Sequence, residues 1–299
     1  MSWSVSAAGD RPVRCGATLY PGSMSAADST SPTPDHPRTA LVTGASGGIG
    51  EEFARRIAQR GHALVVVARR RELLEELAVD LRERYGTVVE TIVADLGTPE
   101  GVASVTERLS ADGSDGRAPI DLLVNNAGRG DGGTFAAQDT AAIDAMLDIN
   151  VRAVLHLTRA VLPVQIARRA AGEQRTLGVV NVSSMAGEIP VNPGGSVYGA
   201  GKKFIALWGE SVAAEVRGQG VHVTTVLPGF VRTDMTRKVQ AQGLPEFAFV
   251  PKEHVVRDAL TAWSAGRPTV ISGPQYQVAR GALRLLPRFV MRALARRMA

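Results

Sequence analysis

A chain of 299 residues, 44% hydrophobic and 21% charged, is long enough for one large α/β domain with a full core. The single cysteine, Cys15, excludes an internal disulfide framework and a cysteine zinc cluster, and the five scattered histidines show no H-x-x-x-H pairing that would mark a metal site. The net charge of +5 is concentrated at one end: no acidic residue follows Asp258 and seven arginines do, which leaves the rest slightly acidic and gives no sign of a nucleic-acid-binding module.

Residues 1–37 are rich in Ser, Pro, Gly and Ala without a sustained period, and read as a disordered leader. Met24 is an alternative start within it. The N-terminus lacks a basic stretch followed by an apolar one, and no apolar run reaches the roughly 18 residues of a spanning helix. A cytoplasmic protein in a reducing compartment is expected. From Arg38 onward, short β-branched runs alternate with helical stretches. Strands are expected at 40–43, 63–68, 88–94, 120–124, 177–182, 221–226 and 269–272. Helices are expected near 49–60, 70–85, 99–110, 139–170, 197–218 and 252–265. Strands apolar throughout imply a sheet buried on both faces, and βα alternation implies one doubly wound Rossmann-type domain over 38–273, with a mainly parallel seven-stranded sheet. Ligands in such sheets sit beyond the C-terminal strand ends, at the switch point.

The first strand runs into Thr43-Gly44-Ala45-Ser46-Gly47-Gly48-Ile49-Gly50, with a helix directly after it. Glycines let a backbone turn tightly and approach a pyrophosphate, and the helix N-terminus offers free N–H groups and a positive dipole end. A plain strand-to-helix turn is the alternative reading.

At this turn the chain resembles the short-chain dehydrogenase/reductase (SDR) family. Its T-G-x-x-x-G-x-G pattern is matched by Thr43, Gly44, Gly48 and Gly50; with Gly47 the extended branch's T-G-x-x-G-x-x-G fits as well. Chain length and Asn125-Asn126-Ala127-Gly128 favour the classical branch. The resemblance implies an oxidoreductase that moves hydride between a nicotinamide and a carbonyl or secondary alcohol. Gly44, Ser46, Gly48, Ile49 and Gly50 would then line the cofactor.

At the end of the second strand, where an NAD-binding fold places a carboxylate against the ribose 2′-hydroxyl, stand Arg69 and Arg70. A guanidinium binds a 2′-phosphate through paired charge-assisted hydrogen bonds, so NADP(H) is the expected cofactor; Arg71 reads as a solvated helix start. Asp95-Leu96 resembles the family's adenine-site segment, with a helix N-cap as the alternative for Asp95. In the Asn-Asn-Ala-Gly run, Asn125, Ala127 and Gly128 are expected on the cofactor side and Asn126 in a structural role. Asn150 matches the family asparagine that kinks a helix and holds a water of the proton path; an ordinary helix-interior Asn is the alternative.

Tyr198 and Lys202 are four residues apart, so on a helix they share one face. A phenol has an unperturbed pKa of about 10; a neighbouring ammonium and the oxidised nicotinamide would favour the phenolate, a fall worth about 4 kcal/mol. The strand before them ends Ser183-Ser184-Met185-Ala186-Gly187, and the S-x-x-G pattern aligns the family's carbonyl-binding serine to Ser184, with Ser183 as the fallback. Gly201 stands where the family has Ser or Ala, which weakens the helix. Pro228, Gly229, Val231 and Thr233 match the turn that contacts the nicotinamide carboxamide. Residues 235–251 would form a substrate lid, with Leu244, Phe247 and Phe249 pointing to a lipophilic substrate or packing on the core.

Residues 274–299 form a basic extension with arginines at 280, 284, 288, 292 and 296 between apolar residues, interrupted by Pro287. Three readings stand: a helix docked on the domain or on a second copy, an interfacial helix giving peripheral membrane contact through 280–299, or a frayed tail. The expected partners are a small carbonyl or alcohol substrate and a homodimer or homotetramer. Two other functional classes stay open: a catalytically weak NADP(H)-binding regulator, and a membrane-surface protein that works through its tail.

Overall fold

In the computed structural model, residues 36–285 are described. The leader expected at 1–37, apart from residues 36 and 37, the start at Met24 and the tail beyond residue 285 lie outside the described residues.

Seven strands form one sheet. They are β1 (Thr39–Thr43), β2 (Ala63–Ala68), β3 (Val89–Val93), β4 (Leu122–Asn125), β5 (Leu177–Val182), β6 (Val221–Pro228) and β7 (Thr269–Ser272). Their order is β3-β2-β1-β4-β5-β6-β7, and every pairing is parallel. Strand direction therefore reverses its lateral progress between β1 and β4, and this is the switch point. The seven strands match the expected set, and the sheet is the doubly wound arrangement that βα alternation requires.

The β-branched strands are apolar on both sides because helices cover both faces. One layer is α1 (Gly48–Ala58), α2 (Arg71–Tyr85) and, later in the chain, the helix Lys252–Ser264; it buries Ala40, Val42, Val66 and Val124 together with Phe53 and Leu74. The other contains α3 (Pro99–Leu109), α5 (Ala153–Ala170) and α6 (Ser196–Val216); it buries the alternate strand residues Leu41, Val65, Leu123 and Val179. Neighbours one apart on a strand thus enter opposite cores. The two edge strands depart most from the expectation of full burial: Val93 is exposed at the end of β3, and Thr269 and Val270 of β7 are half-buried.

Helix ends follow local chemistry. Thr98 caps α3 by accepting a hydrogen bond from Gly101 N (3.1 Å), with Pro99 at the first helical position. Gly86 closes α2 in the left-handed region, at φ 62°. The helical stretch expected over 139–170 is broken in two: α4 (Thr140–Leu147) passes through a π-helical turn, Asp148–Arg152, into α5. Asn150 sits in that turn. π-Turns inside helices commonly mark functional sites.

Beyond β6 come the single turn α7 (Arg237–Gln240), then α8 (Lys252–Ser264) and α9 (Pro274–Leu285). Within the described residues the start of the extension is a helix docked on the domain: Tyr276 packs against Leu227, Ile271 and Met185. No described helix is long and apolar enough to cross a membrane. Among the described residues no group of three or more His, Cys, Asp or Glu side chains could hold a metal ion.

Two glycines of α6 have opposite consequences. A Cβ at Gly201 would meet only Val151 Cγ2, at an ordinary 3.5 Å, whereas one at Gly209 would overlap Thr225 Oγ1 on β6. Gly201→Ala is expected to raise stability by about 1 kcal/mol in denaturant titrations, through helix propensity. Gly209→Ala is expected to lower it by about 1–3 kcal/mol, through overpacking.

Candidate active site

The C-terminal ends of β1, β2, β4, β5 and β6 open into one cleft of about 710 Å³, a volume suited to a cofactor-sized ligand. Its floor is the turn after β1. Gly44 and Gly48 adopt φ values of 66° and 60°, which glycine takes without strain. Gly44, Ser46, Gly48 and Ile49 line the cleft. Gly50 does not: a Cβ there would overlap Gly44 O, so its contribution is the close approach of helix to turn rather than contact with a ligand.

Thr43 ties this turn to the one after β4. Its hydroxyl donates to Val124 O (3.2 Å) and accepts from Asn126 N (2.9 Å) and Ala127 N (3.0 Å). The Asn126 amide donates to Thr43 O (2.9 Å) and Gly44 O (3.3 Å).

Arg69 and Arg70 form one end of the cleft. Arg70 Nη2 donates to Ser46 O (2.9 Å) and Ser46 Oγ (3.2 Å), and Nη1 lies 3.7 Å from Asp234 Oδ2. Arg69 Nη1 lies 3.4 Å from Asp95 Oδ2. Both guanidiniums are over half exposed, at 64% and 51%, so these pairs are weak and exchangeable.

The other end is built by β5 and α6. Ser184 Oγ faces the cleft and accepts from Ala186 N (3.1 Å). Ser183 is spoken for: its hydroxyl donates to Lys202 O at 2.6 Å and is buried. Both serines border the cleft, but the Ser183 hydroxyl is committed to α6 whereas that of Ser184 is held only by the Ala186 amide of its own turn. Tyr198 lines the cleft beside Ser184, and Lys202 lies one turn behind, 6% exposed, with Nζ donating to Val182 O (2.9 Å) and 5.9 Å from the Tyr198 ring centre. Asn150 exchanges two hydrogen bonds with the Arg129 backbone, Nδ2 to Arg129 O (2.7 Å) and Arg129 N to Oδ1 (3.1 Å). It borders the Lys202 ammonium across Gly128, where a Cβ would meet Asn150 Oδ1 at 2.7 Å and Lys202 Nζ at 3.6 Å.

A hydroxyl, a phenol and an amine thus gather at one end of a glycine-floored cleft. Residues 38–243 match the family model described as short chain dehydrogenase. The chain belongs to the short-chain dehydrogenase family. It is an oxidoreductase of that family, whose members bind a nicotinamide cofactor. The chain is similar to oxidoreductase UcpA of Escherichia coli, 37% identical over 209 residues, covering 70% of this chain and 75% of that protein. It is also similar to a solved short-chain dehydrogenase from Sphingobium yanoikuyae in complex with NADPH, with TM-score 0.70, 33% identity and coverage of 83% and 94% of the two chains. A third likeness is the bulky-bulky ketone specific alcohol dehydrogenase from Comamonas testosteroni, with TM-score 0.67, 32% identity and coverage of 84% and 95%.

Several sequence expectations for this dehydrogenase require correction. Asn125 is 3% exposed and faces away from the cleft; its amide donates to Thr158 Oγ1 (3.0 Å) and Asn181 Oδ1 (2.9 Å). The cleft-lining amide is Asn126, because pairing with Asn181 on β5 turns Asn125 into the core. Asp95 neither lines the cleft nor caps a helix: its Oδ1 accepts from Gly97 N (2.9 Å) in a tight turn, and Thr98 is the cap. Its neighbour Leu96 does line the cleft, as do Ala127, Gly128, Pro228, Gly229, Val231 and Thr233. In the expected lid only Met235 and Val239 reach the cleft among the apolar residues; Phe249 is buried beneath Arg232 and Phe247 is exposed.

The electrostatics also differ from expectation. Burial pushes the Tyr198 phenol above its usual pKa, and a hydrogen bond with Ser184 pulls the other way without reversing it. Burial lowers Lys202 to about 8. The expected depression of the phenol is therefore not a property of the protein alone: the ammonium that would cause it is itself desolvated and directed to Val182 O.

Tyr276 was missed from the sequence. It lines the cleft from α9, donates to Ala248 O (2.7 Å) and accepts from Phe230 N (3.1 Å), and its ring covers Gly229 so closely that any Cβ there would overlap it. Gly130, Asp131 and Gly132 were likewise unassigned; a Cβ at Gly130 would meet the Tyr198 ring at 3.6 Å.

A lysine with a depressed folded pKa binds fewer protons folded than unfolded between about 8 and about 10.4. The unfolded state binds more there, so stability of the unliganded protein is expected to rise with pH across that window, by up to a few kcal/mol, and to be fully penalised below it. Chemical denaturation at a series of pH values checks this, with the slope expected to vanish in Lys202→Met.

Proposed function

We propose that this protein is an NADP(H)-dependent reductase and dehydrogenase of small carbonyl compounds and secondary alcohols, with lipophilic ones preferred. The observation that carries the reading is the convergence of Ser184, Tyr198 and Lys202 at one end of a cleft whose other end presents Arg69 and Arg70.

The cleft residues suit a dinucleotide. Two left-handed glycines and the N-terminus of α1 make an anion cradle, and Gly47 leaves room beside the Arg70 guanidinium, where a Cβ would come within 3.3 Å of Nη2. Arg69, Arg70 and Ser46 offer donors to a 2′-phosphate. Their present partners, Asp95 and Asp234, are exposed and readily exchanged for a dianion. The NADPH complex of the Sphingobium relative supports the same choice.

The bound cofactor supplies or accepts hydride at the carbonyl carbon. Ser184 donates a hydrogen bond to the carbonyl oxygen and fixes its direction. Tyr198 gives its phenolic proton to that oxygen in reduction and takes it back in oxidation. Burial keeps the phenol protonated at neutral pH, which suits it as the acid. Lys202, titrating at about 8, can hold or release a proton near working pH and thereby resupply the phenol. Asn150 fixes the π-turn beside Lys202 and keeps the path to solvent in register. Met185, Ile189, Phe230 and Met235 make the substrate end apolar, in line with the lipophilic preference.

Steady-state assays over a panel of ketones and aldehydes, with NADPH and NADH compared, test the proposal. Tyr198→Phe is expected to lower kcat roughly 10²- to 10⁴-fold while NADPH fluorescence titrations show binding retained. Undiminished turnover in that variant would remove Tyr198 from the chemistry. Arg69→Asp is expected to shift the NADPH/NADH ratio of kcat/KM toward NADH by roughly tenfold or more. An unchanged ratio would take Arg69 out of the phosphate site.

A further inference from the structure

The turn that carries Ser184 is held from outside the β5–α6 region. Ser184 caps the short helical turn Met185–Glu188, and Ser184 O accepts from Gly187 N (3.1 Å). Gly187 is pressed on α6, where a Cβ would come within 2.7 Å of Lys203 N. The turn ends at Glu188, whose carboxylate is 5% exposed and bound on both sides. Oε1 accepts from Lys203 Nζ (2.6 Å), on the helix that carries Tyr198 and Lys202. Oε2 accepts from Arg280 Nε (2.8 Å), on α9. Burial would raise the Glu188 pKa, but Lys203 and Arg280 outweigh it and hold the carboxyl below its usual range, so it is charged at neutral pH.

Arg280 is itself fixed in place. It lies one helical turn after Tyr276, whose two hydrogen bonds to Phe230 N and Ala248 O seat α9 against the loop that follows β6. One carboxylate therefore joins three parts of the site: the Ser184 turn, the Tyr198 helix and the helix that walls the cleft.

We propose that Arg280 is a positioning residue: through Glu188 it sets the turn that places the Ser184 hydroxyl against the substrate carbonyl, which makes α9 a working part of the catalytic site. The Lys203 contact alone leaves the outer side of the carboxylate open, because Lys203 is 42% exposed and on a flexible stem whereas Arg280 is 19% exposed. Losing Arg280 frees one lone-pair side of a buried carboxylate to seek water, and the turn moves with it. The inference rests on the role proposed above for Ser184.

The experiment compares full-length Arg280→Met, Arg280→Lys and Glu188→Gln with the unsubstituted protein. With a ketone it reduces, Arg280→Met and Glu188→Gln are expected to lower kcat about tenfold with the NADPH dissociation constant unchanged, since a small misplacement of an orienting group acts on turnover. Arg280→Lys is expected to recover most of the loss. Hydrogen–deuterium exchange at Ala186 and Gly187, the two amides bonded to Ser184, is expected to speed up in Arg280→Met and to be restored by Lys. Unchanged kcat and unchanged exchange in Arg280→Met would overturn the proposal, as would a fall in NADPH affinity parallel to the fall in kcat, which would signal general loosening. If the unsubstituted protein reduces no carbonyl tested, the catalytic reading fails by itself, and the exchange rates still decide whether Arg280 holds the turn. Glu188→Gln, which keeps the side chain's shape, decides the case should Arg280→Met not fold.

Discussion

The site depends on one staple at the switch point. Where β1 and β4 run side by side and their chains then diverge, a gap must open, and gaps between strand ends collapse or fray unless something fixes the divergence. Thr43 and Asn126 do so with hydrogen bonds between the two turns, and the bare Gly50 lets α1 close on Gly44. Everything in the cleft is placed relative to that junction. The glycine floor lies on one side of it, the Ala127–Gly128 backbone on the other, and the β5–α6 residues one strand further along.

Desolvation is the second organising force. Lys202 is buried with a single backbone carbonyl as partner, and Tyr198 is buried beside it. Burial makes each harder to charge than it is in water. It brings the titration of Lys202, at about 8, close to cellular pH and moves that of Tyr198 further above it. The guanidiniums at the opposite end are placed differently: Arg69 and Arg70 are solvated and only loosely partnered. The cleft thus has a dry end at Tyr198 and Lys202 and a wet, basic end at Arg69 and Arg70.

Much of this was legible in the sequence, for identifiable reasons. β-Branched runs between helical periods gave all seven strands, because a doubly covered parallel sheet leaves few alternatives for such runs. The glycine turn and the Tyr198–Lys202 spacing could be read because each chemistry tolerates only a few residue types. Which of two adjacent residues faces the cleft was less legible. The hydroxyls of Ser183 and Ser184, and the amides of Asn125 and Asn126, differ only in the facing set by strand register. For the asparagines, pattern spacing placed Asn125 on the cleft side, whereas the register turns it into the core and leaves Asn126 at the cleft, where its amide also ties the two turns together. Tyr276 was hidden because the arginine repeat dominates its segment. A signal did exist: Gly229 follows a proline that already makes the turn, and a second small residue there implies that something large packs on it. The break at Asp148–Arg152 was visible only as an asparagine in an otherwise helical run, since π-turns carry no strong composition.

The parallel register has a further bearing on how the molecule is made. Ala40 pairs with Leu122, so β1 finds its inner neighbour only after about eighty intervening residues have been synthesised, and loop closure of that length slows assembly. Until then β1 can pair only with β2, and the glycine turn stands open on the side where Asn126 belongs. The glycine turn is therefore not a module that matures ahead of the rest: its geometry is complete only once the central strands have closed. A ribosome-bound fragment ending before residue 122 would carry every glycine of the motif and yet lack the geometry to use them.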